Sequence, residues 1–209
     1  MVSYSIPGYL YHFNIHLASH LLLPTFLAKH GRIKGLILEL RNKSILHSHF
    51  DPDEQARIDA EISQWWNAAQ DLVDPIGLDF GGFGHSSQPA PVQLKSSHKL
   101  LLIVQKHESI ILLNRPVISS SPNTSAFAAA MQKCIGASKA IVTSIFKHIS
   151  SAIDTEGATN SRIASPLVWP GFIWLIWQSA LILLYAASEG YYSGEVAQRY
   201  WPVLYFSLI

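Results

Sequence analysis

Three histidines, His12, His16 and His20, recur every four residues, a spacing that sets them along nearly one face of a helix. Such a face can hold a metal ion, but only with further ligands, and no His-Glu-x-x-His run or carboxylate-bearing partner motif stands nearby. A histidine-lined core or interface is the plainer reading. Cys134 is the only cysteine, which excludes an intramolecular disulfide and every cysteine-built zinc or iron–sulfur site in this chain. It falls in an apolar stripe, where cysteine behaves as a small hydrophobe. The run Gly82-Phe83-Gly84-His85-Ser86-Ser87 does not centre a serine between glycines as a nucleophile elbow does. The glycines of 77–84 lack a following Gly-Lys-Ser/Thr, so they form no phosphate loop. Trp65 and Trp66 would point about 100° apart on a helix, which suits core packing better than one shared ligand. No catalytic, cofactor-binding or metal-binding residue is assigned, and no enzymatic activity is expected.

The elements that would position these residues read as helix after helix. Residues 8–28 are strongly apolar, with Pro24 expected as a kink or an end. Residues 29–46 continue the run, interrupted by Gly31 and Gly35. A clear helix begins at Asp51-Pro52-Asp53-Glu54, where Asp51 can cap and Pro52 suits the first helical position. Behind it Ile58, Ile62, Trp65, Trp66, Ala69, Leu72 and Val73 form one stripe, and Asp74-Pro75 ends it. A glycine- and proline-rich loop follows. The next helix is expected over 97–114, stopped by Pro116. Residues 125–150 carry a stripe of Phe127, Met131, Cys134, Ile135, Ser138, Ile141, Val142, Ile145 and Ile149. After a polar linker (150–165) come a very apolar segment, 166–190, and an aromatic terminus. With no sustained strand alternation, the fold class is all-α: an irregular multi-helix array with a central, very apolar helix near 167–188.

Charge is scarce and segregated. Charged residues make up 14% of the 209 residues and hydrophobic ones 49%, with a net charge of +1. So little charged surface fits either a membrane-associated chain or a module covered by something larger. The near-zero net charge gives no global basic field for nucleic acid. Residues 29–43 hold Lys29, Arg32, Lys34, Arg41 and Lys43 against Glu39 alone, whereas 51–79 are acidic. Two solvated faces that attract one another explain this more simply than a nucleic-acid patch beside an acidic docking face. The first charged residue is Lys29, so the basic start of a secretory signal is absent.

Residues 163–188 contain no charge, enough to cross a hydrocarbon core of about 30 Å. Three features point instead to a protein core. Pro170-Gly171 and Gln178-Ser179 interrupt the apolar run, Trp169, Trp174 and Trp177 are not divided between two ends, and no basic cluster follows. A small membrane-associated helical protein built on 8–28 and 166–188 is the alternative.

The stretch Ile110-Ile111-Leu112-Leu113-Asn114-Arg115-Pro116-Val117 closes the organisation. It resembles a recurrent segment of the regulatory domain of fungal zinc binuclear cluster transcription factors, in which such a helix is followed by a loop and a helix beginning near a cysteine. Here that later helix is "CIGASKAIVTSIF", and the very apolar one after it is "WPGFIWLIWQSALILLYAA". "HFNIHLASHLLLPTFLA" and "IDAEISQWWNAAQDLVD" resemble the preceding helices, so the resemblance spans 6–190, with 191–209 an aromatic segment expected to pack on it. Asn114 stands where the family usually has His. The six-cysteine cluster, the Arg-rich Trp-Trp helix and the Gly-Arg-Pro turn of the family are missing, which leaves the later part of a regulatory region. The resemblance implies a nuclear regulatory module of RNA polymerase II transcription, acting through a protein partner, the missing N-terminal half or a small-molecule effector. It implies no direct nucleic-acid contact and no cofactor in this chain, zinc belonging to the absent cysteine cluster.

Overall fold

The structure, a computed structural model, describes residues 8–47, 51–73, 94–120, 124–156, 170–191 and 193, and within the first helix the side chains of 21–43. Five helices fill these residues: α1 (Gly8–His47), α2 (Pro52–Val73), α3 (Ser96–Ser120), α4 (Ser125–Glu156) and α5 (Pro170–Ser188). No strand occurs among them, and the class is all-α.

α2 starts as its sequence dictates. Asp51 Oδ1 accepts the backbone N–H of Asp53 at 3.0 Å and of Glu54 at 3.1 Å, satisfying two donors the helix itself cannot pair. Asp51→Ala is therefore expected to lower stability by about 1 kcal/mol, read as a lower urea midpoint with an unchanged slope. Ile58, Ile62, Trp65, Ala69 and Val73 are buried along one stripe. The Trp65 indole also donates to the Phe26 carbonyl at 3.0 Å, which ties α2 to α1.

Two helices run through prolines: Pro24, which local reading takes for a kink or an end, and Pro116, which it takes for a stop. α1 continues past Pro24 and across Gly31 and Gly35, and α3 continues past Pro116 to Ser120. A proline inside a helix removes an N–H and crowds the preceding turn, which exposes carbonyls there. At each site a side chain supplies a donor to the carbonyl three residues before the proline. Thr25 Oγ1 donates to the Leu21 carbonyl at 2.7 Å, and Gln55 Nε2 of α2 donates to the Leu113 carbonyl at 3.4 Å. Burial of Val117 and partial burial of Ile118 after Pro116 further favour continuing α3.

α3 is the central helix. Leu102 and Leu113 join a cluster with α1 and α2, containing Ile33, Ile37, Ile58, Ile62 and Trp65. Leu100, Val104 and Ile111 join a second cluster with Ala137, Ile141 and Ile145 of α4 and Phe172, Leu175 and Ile176 of α5. In α4, Phe127, Met131, Cys134, Ile135, Ser138, Ile141, Val142 and Ile145 are all buried, and Ile149 is half-buried.

α5 forms within the expected apolar window, but it is an outer helix covered on one face only. Phe172, Leu175, Ile176, Ala180, Leu183 and Ala186 are buried, and with them Gln178 and Ser179, which interrupt the hydropathy pattern without breaking the helix. Gly190 ends it at φ +76°, the left-handed region that suits glycine, while the Tyr191 N–H bonds to the Ala186 carbonyl at 2.9 Å. That turn lays the Tyr191 ring on Phe127, centroids 5.7 Å apart. The segment 194–209 lies outside the described residues.

Candidate functional site

The most enzyme-like pair is His30 and Ser109. His30 Nε2 lies 2.7 Å from Ser109 Oγ and 3.1 Å from the Gln105 carbonyl. A carbonyl can only accept, so Nε2 carries the hydrogen and shares it between both oxygens. In that tautomer the nitrogen beside the serine cannot take the hydroxyl proton. Both residues are also buried, His30 with 3% of its surface exposed, so no substrate reaches them. The pair ties α1 to α3. Lys34, one turn after His30, and Glu108, next to Ser109, are joined at 2.6 Å and do the same.

Burial lowers the pKa of His30 to about 4, helped by the nearby Lys34 charge, while the hydrogen bond to Gln105 opposes the shift. His107, whose Nδ1 is buried without a partner, is also lowered to about 4, by burial and then by Lys106. Both rings remain neutral in the fold at pH values where the unfolded chain protonates them. The unfolded state thus binds more protons between about pH 6.5 and 4, and stability falls as pH falls through that window. For His30 the loss is expected to be on the order of 3 kcal/mol. Urea unfolding at pH 7 and 4.5 reads most of it, and His30→Gln should remove the His30 part of the dependence while leaving that of His107.

The other sequence candidates fall into structural places. Cys134 is fully buried, and burial pushes its thiol up to about 12, so it is no nucleophile. Trp65 packs inward at 4.8 Å from the His30 ring, while Trp66 lies half-exposed under Lys106 Nζ, 4.2 Å from the ring centre. The two tryptophans share no ligand pocket. His12, His16 and His20 lie on α1, but their side chains are outside the described residues. Among the described residues no group of three or more metal-ligating side chains gathers. The basic and acidic segments do meet, since Arg32 pairs with Glu61, while Asp59 pairs with Lys133 of α4 at 2.9 Å.

What stands open is one face of α5. Ile173, Trp174, Trp177, Leu181, Leu184 and Tyr185 are 37–64% exposed, with Trp174 at 64% and Leu181 at 60%. At 100° per residue these six fall within about 120° of the helix circumference, one stripe opposite the face packed on α4. A contiguous apolar stripe left exposed is a candidate contact surface. Along its flank the end of α3, the start of α4 and α5 enclose a cleft of about 390 Å³, with Met131 and Cys134 among the residues lining it and Arg115, Gln178 and Tyr185 around them. Local reading missed this face because Gln178 and Ser179 look like interruptions. Placed on a helical wheel, Ser179 lies on the other side from Trp174 and Leu181, while Gln178 sits at the edge of the stripe within about 60° of both, and the available signal was the grouping of the six exposed residues themselves.

No family model and no solved structure matches the chain. It is similar to "Probable transcription factor FUP6" of Fusarium proliferatum (strain ET1), with 26% identity over 178 residues. The similarity covers 84% of this chain and 23% of the relative, so the chain spans only a minor part of that protein's length. The resemblance read from the helix series and this similarity agree on a fungal transcription factor.

Proposed function

We propose that this chain is a helical regulatory module of a fungal transcription factor, equivalent to the later part of the family's regulatory region. It acts in the nucleus on RNA polymerase II transcription and leaves DNA reading and zinc binding to a cysteine cluster that it does not carry. The similarity to a fungal transcription factor over 84% of the chain carries this reading. The open α5 stripe supports how the module works: it seats the apolar face of a helical protein partner, which removes Trp174, Leu181 and their neighbours from water. Direct nucleic-acid contact is not part of the proposal. Of the five basic residues in 29–43, Arg32, Lys34 and Lys43 are held by Glu61, Glu108 and Glu39.

One observation favours a second reading. Gly171–Ser188 is long and apolar enough to cross a membrane, and with 8–28 it would make a small membrane-associated helical protein. Against it, 44% of that window is buried within the fold, and its polar Gln178 and Ser179 are among the buried residues. A core helix of a soluble protein passes the same test of length and composition. Cell fractionation separates the two. The regulatory reading expects the full chain to be released from nuclei as soluble protein. Retention in a carbonate-resistant membrane pellet would replace it with the second reading.

A further inference from the structure

We propose that the cleft between the end of α3, the start of α4 and the flank of α5 binds a small organic anion with an apolar body, a monocarboxylate being its simplest form. The cleft, about 390 Å³, lies within the range of small-molecule sites. Its walls are largely apolar, with Ile118, Met131, Leu181 and Ile182 among them.

The polar groups that line it decide the head group. Arg115 is exposed at the cleft and has no ion-pair or hydrogen-bond partner for its guanidinium among the described residues. The Gln178 carboxamide lines the same space with 8% exposure, and its Nε2 has no acceptor. That nitrogen lies beneath the cleft surface, so it adds polarity to the wall without itself facing the open space. The Ser119 hydroxyl already donates to the Arg115 carbonyl at 3.1 Å, so it adds no free donor to the cleft. Among the described residues no Asp or Glu lines the cleft, and the Cys134 thiol stays protonated, so none of them sets a negative charge against an anion there. The cleft thus offers the unpaired Arg115 guanidinium beside an apolar floor. A carboxylate accepts from that guanidinium, as guanidinium–carboxylate pairing favours, while its apolar body covers Ile118, Leu181 and Ile182. A cationic ligand would meet Arg115, and a polyol would leave its hydroxyls against Ile182 and Met131.

This deepens the regulatory reading, since such a ligand would be its effector, but binding can be measured without any transcriptional readout. Isothermal titration of the full chain with decanoate and with decan-1-ol compares an anion and an uncharged molecule of equal chain length. Decanoate is expected to saturate one site and to bind about tenfold tighter than the alcohol, a charge-assisted bond's contribution at a partly exposed site. Arg115→Gln should erase that preference and Arg115→Lys retain part of it. Circular dichroism of each variant shows that it is folded, as expected for an exposed residue. Absence of saturable decanoate binding, equal affinity for acid and alcohol, or a preference that survives Arg115→Gln would each overturn the proposal. The last two outcomes would assign the binding to the open stripe of α5.

Discussion

Leu102→Ala and Ile111→Ala are each expected to lower the free energy of unfolding by about 2–5 kcal/mol, and the double variant by close to the sum. Both side chains are fully buried, but on opposite sides of α3. Leu102 fills the cluster made with α1 and α2, and Ile111 the one made with α4 and α5. Each truncation removes apolar burial and leaves a cavity that close-packed neighbours only partly fill. Nine residues separate the two, about 13 Å along the helix, far enough for their effects to add. Additivity within one cooperative urea transition would mean that α3 joins both clusters into a single folding unit. Two separate transitions, each sensitive to one substitution, would show instead that the clusters unfold independently.

The Trp174→Glu/Leu181→Glu double variant is expected to behave in the opposite way. Both residues project from the uncovered side of α5, so their replacement leaves the α4 contact intact. Stability should change by no more than about 0.5 kcal/mol, as for other surface positions. Binding of an environment-sensitive hydrophobic dye should nevertheless lose most of its signal, because two charges then divide the stripe. A large loss of stability would mean that the stripe is packed against other parts of the chain. Unchanged dye binding would place the accessible apolar surface elsewhere.

Much of the fold was legible because α2 and α4 bury single stripes at three- and four-residue spacing, and because Asp51-Pro52 writes its cap locally. α1 and α3 were harder. Thr25 sits beside Pro24, but the donor that serves the turn before Pro116 is Gln55, which is 58 residues away in sequence. The boundary of α3 therefore depends on a tertiary contact that no local rule contains. The same holds for centrality. α5 is the most apolar segment, yet the helix buried on two sides is α3, whose polar Ser109 and Asn114 have specific partners while the Gln105 side-chain oxygen is buried without one. Asn114 illustrates this, donating to the Ile110 carbonyl at 2.7 Å and accepting from Gln55 at 3.4 Å.

The candidate site was less legible for the same reason. Arg115 reads as a helix-end residue and Gln178 as a break in a hydrophobic run, and only the packing of α3, α4 and α5 brings them to one cleft. His30 and Ser109 carry no motif at all. Their bond follows from α1 crossing α3, and it proves to be a structural tie.

The most direct measurement is transcript from a reporter promoter to which the full chain is recruited through a fused heterologous DNA-binding domain. Recruitment is expected to shift transcript several-fold, up or down, against the DNA-binding domain alone, and Trp174→Glu/Leu181→Glu to abolish the shift while the protein stays folded and abundant. Transcript unchanged by recruitment of the folded wild-type chain would contradict the regulatory reading.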